Sequence, residues 1–157
     1  MADPQPGPHL AIERIYLRDA SFESPRAPGV FEATWTPQVQ VDINSRSSRI
    51  DEARHEVVLT LTLKARIDDE VAMIVELQQA GVFRLEGMDD AMTQQALAVA
   101  CPNVLFPYAR EAVDALVTKG AFPPFMLAPI SFDALYAEAK RRQAAQEPVQ
   151  GNDGVVN

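Results

Sequence analysis

Between residues 57 and 78 apolar and polar side chains alternate with a period of two. Val57, Leu59, Leu61, Leu63, Ala65 and Ile67 fall on one face, and Val58, Thr60, Thr62, Lys64 and Arg66 on the other. This is the pattern of a strand with one buried side. Asp68-Asp69-Glu70 interrupts it, and Val71, Met73, Val75 and Leu77 resume it against Ala72, Ile74, Glu76 and Gln78. So short and polar a break predicts a hairpin with antiparallel strands. Upstream, Val39, Val41 and Ile43 alternate with polar residues and predict another half-buried strand, followed by a polar turn region over 44–51. Leu10 to Asp19 reads as a strand of imperfect alternation, with Ile15 and Leu17 on one face and Ile12 and Tyr16 on the other. The stretch from Ala20 to Thr36 is a loop by its prolines and glycine, yet it carries Phe22, Phe31 and Trp35.

The period changes after Gly87. Asp89 or Asp90 starts a helix through Met92, Gln95, Ala96 and Val99, which Cys101-Pro102 is expected to end. A second helix follows, with Asn103 as its cap and Pro107 late in its first turn. Leu105, Tyr108, Ala112, Val113, Leu116 and Val117 recur at helical spacing. Lys119 suits the negative end of the helix dipole, and Gly120 supplies a left-handed stop. A last helix starts at a Ser131 cap, with Phe132, Leu135, Tyr136 and Ala139 as its apolar face and Lys140, Arg141 and Arg142 near its end. Strands first and helices second predicts an α+β domain with the helices on one face of the sheet. The domain spans residues 10–145. Residues 1–9 and 146–157, rich in Pro, Gly, Gln, Asn or Asp, are expected to be disordered tails.

A chain of 157 residues has room for one core, and 47% hydrophobic with 23% charged residues is ordinary for a folded protein. The net charge of −8 argues against nucleic acid and anionic membrane surfaces, and it permits a basic protein partner. No apolar stretch reaches the roughly 20 residues that cross a bilayer. The first residues lack the basic start and apolar core of a signal peptide, and the single cysteine, Cys101, cannot form an internal disulfide. The expected home is therefore a reducing cytoplasm.

Candidate chemistry is sparse, and no catalytic residue, metal site or cofactor is assigned. His9 and His55 are far apart, and no Cys/His cluster has ligand spacing. Cys101 beside a proline reads as a buried thiol rather than a nucleophile. Neither a Walker loop nor a dinucleotide fingerprint occurs, so whatever the protein binds must leave by competition or through a partner. The loop over 121–130 is more telling. It offers Phe122, Phe125, Met126, Leu127 and Ile130, stiffened by Pro123, Pro124 and Pro129. Such side chains either fold down to complete a core or form an adaptable apolar wall, with Phe31 and Trp35 beside them. Asp19, Glu23 and Glu76, with Ile74 beside the last, form a set of strand acids that by themselves mean a solvated face.

Four segments together resemble the SecB family of bacterial protein-export chaperones: Arg-Ile-Tyr-Leu-Arg-Asp-Ala-Ser-Phe-Glu-Ser-Pro at 14–25, Glu-Leu-Gln-Gln-Ala-Gly-Val-Phe at 76–83, Cys-Pro-Asn-Val-Leu-Phe-Pro-Tyr-Ala-Arg-Glu at 101–111 and Phe-Pro-Pro-Phe-Met-Leu-Ala-Pro-Ile-Ser-Phe-Asp-Ala-Leu at 122–135. The resemblance covers residues 10–142. It implies a four-stranded antiparallel sheet with two main helices, assembled as a homotetramer, a dimer of dimers. It implies an ATP-independent chaperone that holds unfolded precursor proteins for export and delivers them to the SecA motor. The family's SecA contacts fall on Asp19, Glu23, Ile74 and Glu76, and its client grooves on Trp35, Phe122, Phe125, Met126, Leu127, Leu135 and Tyr136. Val75, Leu77 and Gln79 would bear on assembly or client binding. The helix carrying Leu105, Tyr108, Ala112 and Leu116 would lie at the tetramer's centre. Two other readings stay open on the sequence: a SecB-like chaperone dedicated to an antitoxin, and a small-molecule enzyme or binding protein using the apolar loop.

Overall fold

The computed structural model describes residues 6–146. Four antiparallel strands, β1 (His9–Glu23), β2 (Gln38–Arg49), β3 (Arg54–Ile67) and β4 (Glu70–Glu86), form one sheet in the order β1-β4-β3-β2. The β3–β4 hairpin turns at Asp68 and Asp69, whose φ angles of 51° and 62° give the left-handed backbone that a two-residue turn between twisted strands needs. β3 and β4 occupy the centre of the sheet, and Val57, Leu59, Leu61, Leu63 and Ala65 are fully buried on the face the alternation marks out.

The outer strands run longer than their hydrophobic pattern indicates. Residues 44–49 are not a turn but the second half of β2, paired in register from Asn44 with Thr60 to Arg49 with His55. β2 ends the sheet, so its far part is held by ladder hydrogen bonds alone and has no need of apolar side chains. β1 continues through Phe22 to Glu23 and slips register between Ile12 and Arg14 and again between Leu17 and Asp19. An extra residue at each slip sends the following side chains to the opposite face, which is why the alternation is imperfect.

The helical half also departs from expectation. α1 (Asp90–Gln95), a π-helical turn (Ala96–Ala100) and α2 (Cys101–Lys119) follow one another with helical backbone at both junctions. Asp89 caps the start by accepting the Met92 N–H at 2.8 Å. Cys101-Pro102 does not end this rod, and Asn103 is not a cap. The Cys101 N–H donates to the Ala96 carbonyl five residues back, and the widened turn accommodates the Pro102 ring. Pro107 lies inside α2. Its local cost of roughly 3 kcal/mol is offset by burial on both sides of it, at Leu105, Phe106 and Ala109. At the far end Gly120 is not left-handed, with φ −77°; Ala121 takes that conformation, at φ 64°. Gly120 is required for another reason: a Cβ there would lie 2.2 Å from the Phe22 ring.

α3 (Phe132–Gln146) starts as expected, with the Ser131 hydroxyl accepting the Ala134 N–H at 3.2 Å. Only Phe132 of this helix is buried, and its ring sits 6.2 Å from that of Phe106 on α2. Of the expected tails, His9 already belongs to β1 and Gln146 to α3, while residues 1–5 and 147–157 lie outside the described residues.

Candidate functional site

An aromatic cluster and, beside α3, a groove flank the core. A short helical turn (Gly29–Glu32) anchors the loop after β1 through buried Val30. This brings Phe31 and Trp35 against Phe122, with ring centroids 5.4 and 5.1 Å apart, and Phe22 lies 6.3 Å from the same ring. Phe31 is exposed, Trp35 half-buried and Phe122 buried. The loop over 121–130 therefore does both things its composition allows. Phe122 and Leu127 fold into the core, Phe125 and Ile130 are half-buried, and Met126 is 77% exposed. Met126 lines a cleft of about 610 Å3 against the outer side of α2, together with Pro107, Arg110, Asp114 and Pro124.

The groove, of about 590 Å3, lies between α3 and β2. Phe132, Leu135 and Tyr136 form one wall, Leu97 of the π turn and Ile43 the floor, and the consecutive residues 43–47 the other wall. That wall is a strand edge: β2 has a neighbour on one side only, so its outward backbone groups can pair with another extended chain. Leu135 and Tyr136 thus line this groove without Trp35 or Phe122, which pack together in the aromatic cluster. Ile43 and Leu97 were absent from the expected site. Ile43 read as the apolar side of a half-buried strand and Leu97 was not singled out; only the way α3 stands off the sheet opens them to a groove.

The strand register gathers the acidic set on the sheet face turned away from the helices. Directly paired residues share a face. Glu23 pairs with Ile74, Asp19 with Gln78, and Glu76 lies between Ile74 and Gln78 opposite Ser21. Asp42, opposite Thr62, which in turn faces Glu76, extends the patch. Among the described residues Asp19, Glu23 and Glu76 enter no ion pair. At the other end of the sheet Glu56 is engaged by Arg18, Glu13 and Glu86 by Arg84, and Asp51 by Arg54. Arg54 donates to Asp51 from its side chain and backbone and holds that carboxyl down at about 2.

The residues expected to govern assembly divide by depth. Val75, Leu77 and Leu105 are buried in their own chain. Their side chains present no surface of their own. α2 spans the middle of the sheet, so residues on the strand beneath it and on its inner side are core. Gln79 is also buried, and its side chain donates to the Tyr16 carbonyl at 3.1 Å. Tyr108 is 50% exposed, while Ala112 and Leu116 are half-buried on the same flank of α2. This flank overlooks β1, whose Ile12 and Leu17 are exposed large apolar side chains.

Nothing in these recesses brings reactive groups together. Cys101 is buried, and burial pushes its thiol up to about 12, so no thiolate forms near neutral pH. Among the described residues no group of three or more His, Cys, Asp or Glu side chains could hold a metal ion, and no helix is long and apolar enough to cross a membrane. The geometry defines a binding protein with adaptable apolar grooves and a separate acidic face.

Known proteins resemble this chain in sequence and fold. Residues 3–143 match the family model described as preprotein translocase subunit SecB. The chain is 51% identical over 140 residues to the protein-export protein SecB of Hahella chejuensis, covering 89% of this chain and 88% of the relative. It is 51% identical over 148 residues to the protein of the same name from Pseudomonas savastanoi pv. phaseolicola, covering 94% and 91%. Among solved structures, a SecB-like chaperone of Mycobacterium tuberculosis in complex with an antitoxin peptide shares the fold, with a TM-score of 0.59 at 20% identity over 78% of this chain and 91% of that one. The chain belongs to the SecB family of protein-export chaperones.

Proposed function

We propose that this chain holds unfolded precursor proteins in the cytoplasm without ATP, keeps them competent for translocation and passes them to SecA, acting by binding alone and not by catalysis. The observation that carries the reading is the α3–β2 groove, where exposed Leu135 and half-buried Tyr136 face a free strand edge. An extended client laid there gains backbone hydrogen bonds, which are indifferent to sequence, and buries alternate side chains. Burial of one client Phe or Leu contributes roughly 1.5–3 kcal/mol. Several such contacts, shared with Trp35, Phe125 and Met126, bind a long chain tightly while each site exchanges readily. Folding of the client competes by burying the same side chains, so slow-folding chains are held longest.

The acidic face serves delivery. Glu23 stands opposite Ile74 on β1, Glu76 follows it on the same face and Asp19 lies further along, with Lys64 across on β3; this run of unpaired acids beside an apolar point suits a basic surface of SecA. Because this patch lies on the opposite side of the sheet from the grooves, client and motor can be bound together. The uncovered corner between β1 and α2, with Ile12, Leu17, Tyr108, Ala112 and Leu116, suits self-association, and a free β1 edge beside it can extend the sheet across two copies. Two such pairs give the homotetramer. Val75, Leu77, Gln79 and Leu105 influence that assembly from beneath, by setting the shape of the surface above them.

The test is to dilute a denatured polypeptide into buffer with and without the chaperone, lacking nucleotide, and follow light scattering. Suppression of aggregation is expected, and undiminished aggregation sinks the proposal. Glu76→Lys should abolish binding to SecA in a pull-down while leaving suppression intact. Retained SecA binding would remove the proposed docking face.

A further inference from the structure

Among the described residues the fold offers an oxidant few sulfur atoms. Cys101 is buried, and burial pushes its thiol up to about 12, so the reactive thiolate is absent near neutral pH. Met73 is fully buried in the core and Met88 is half-buried. Met92, in the first turn of α1, is 40% exposed, and Met126 is 77% exposed, the most of these methionines. Its neighbours hold it outward: Leu127 is buried and Phe125 half-buried, on a loop that Pro123, Pro124 and Pro129 stiffen. Met126 lines its cleft with apolar Pro107, Ala115 and Pro124 and with the donors Arg110, Thr118 and Lys119. Glu111 and Asp114 line the same cleft, yet among the described residues Arg110 and Lys119 enter no ion pair.

We propose, on the reading of this loop as part of the client surface, that Met126 is an oxidation site whose sulfoxide turns client holding down. Hypochlorous acid transfers its oxygen to the thioether. The sulfur lone pair forms the S–O bond as the O–Cl bond breaks, chloride leaves with that electron pair, and the hydroxyl proton passes to water. The sulfur is thereby oxidised and the chlorine reduced. Unoxidised, the side chain is apolar, flexible and polarisable, which suits contact with many different client side chains. The sulfoxide is polar and takes that contact away. Its oxygen accepts hydrogen bonds, and Arg110, Thr118 and Lys119 supply the donors that draw it down onto α2. Phe122, Phe125, Leu127 and Ile130 carry no sulfur, so within the loop the change is confined to one position. A methionine sulfoxide reductase reverses it: two of its thiols become a disulfide as the oxygen leaves as water. Loss of this one apolar contact should weaken client binding by about 5-fold.

The experiment treats the full chain with limiting hypochlorous acid, quenches with free methionine and maps the oxidised residues by peptide mass. Affinity is then read by fluorescence anisotropy with a labelled, permanently unfolded polypeptide that contains neither methionine nor cysteine. Met126 should be oxidised ahead of Met92 and well ahead of Met73 and Cys101, with the affinity falling about 5-fold and returning after treatment with sulfoxide reductases. Met126→Leu should keep its affinity through the same treatment, and Met126→Gln should bind weakly with no oxidant, both with the urea midpoint of the native chain. Oxidation that reaches Met92 or Cys101 before Met126, an affinity unchanged once Met126 is oxidised, or an equal loss in Met126→Leu would overturn the switch while binding by the untreated chain leaves the holding function standing. If the untreated chain does not bind the polypeptide, the holding function falls and the switch with it.

Discussion

α2 and α3 both carry apolar side chains at helical spacing, yet they meet the sheet in different ways. α2 buries Cys101, Pro102, Leu105, Phe106, Ala109, Val113 and Val117 against β3 and β4. α3 buries Phe132 alone and leaves Leu135 exposed above a groove. One helix spends its apolar face on the stability of the fold; the other keeps that face available for something else. The difference separates the two meanings of an apolar helix face, and it can be tested residue against residue.

The largest expected contrast is between two leucines. Leu105→Ala should cost roughly 2–5 kcal/mol of unfolding free energy, because Leu105 is fully buried and its neighbours cannot close the cavity. Leu135→Ala should change denaturant stability by no more than about 0.5 kcal/mol and instead weaken the holding of unfolded chains. Equal stability losses at the two positions would erase the distinction. Next is the end of α2. Gly120→Ala places a methyl group against the Phe22 ring, and the repacking should cost roughly 1–3 kcal/mol. An unchanged midpoint in urea would mean that the α2–β1 contact is slack. The smallest effect concerns Cys101. Its thiol is held protonated to about 12, against 9.0 for an ordinary one. Folding therefore keeps its full contribution from this group below pH 9, and that contribution declines as pH rises toward 12. Native protein should resist alkylation at pH 8 until it is unfolded, and rapid native labelling would place Cys101 outside the core.

The central hairpin was legible because Val57 to Leu77 sit between other strands and under α2, so period-two alternation and an Asp-Asp turn record their surroundings directly. β2 beyond Asn44 was not, because an end strand facing water on several sides can be polar throughout. Nor was the continuity of the helical rod. Pro102 is a local stop signal, and only a π turn together with burial around Leu105 overrides it. The candidate site followed the same division. The apolar loop at 121–130 announced itself, but which side chains fold inward depends on Phe31 and Trp35, distant in sequence. The acidic set became one patch only through the pairing of β1 with β4. The resemblance had named Asp19, Glu23, Ile74 and Glu76, while periodicity alone offered no reason to group them.

The central claim is that unfolded chains bind in the grooves around α3 and the 121–130 loop, apart from the acidic face. Hydrogen exchange of the chaperone with and without a bound unfolded polypeptide tests this most directly. Binding should slow exchange along β2 at residues 43–47, through the first turns of α3 and in the loop around Met126, with no change at Asp19–Glu23 or Ile74–Glu76. Protection confined to the acidic face, with the α3 groove exchanging as in the free protein, would contradict the account.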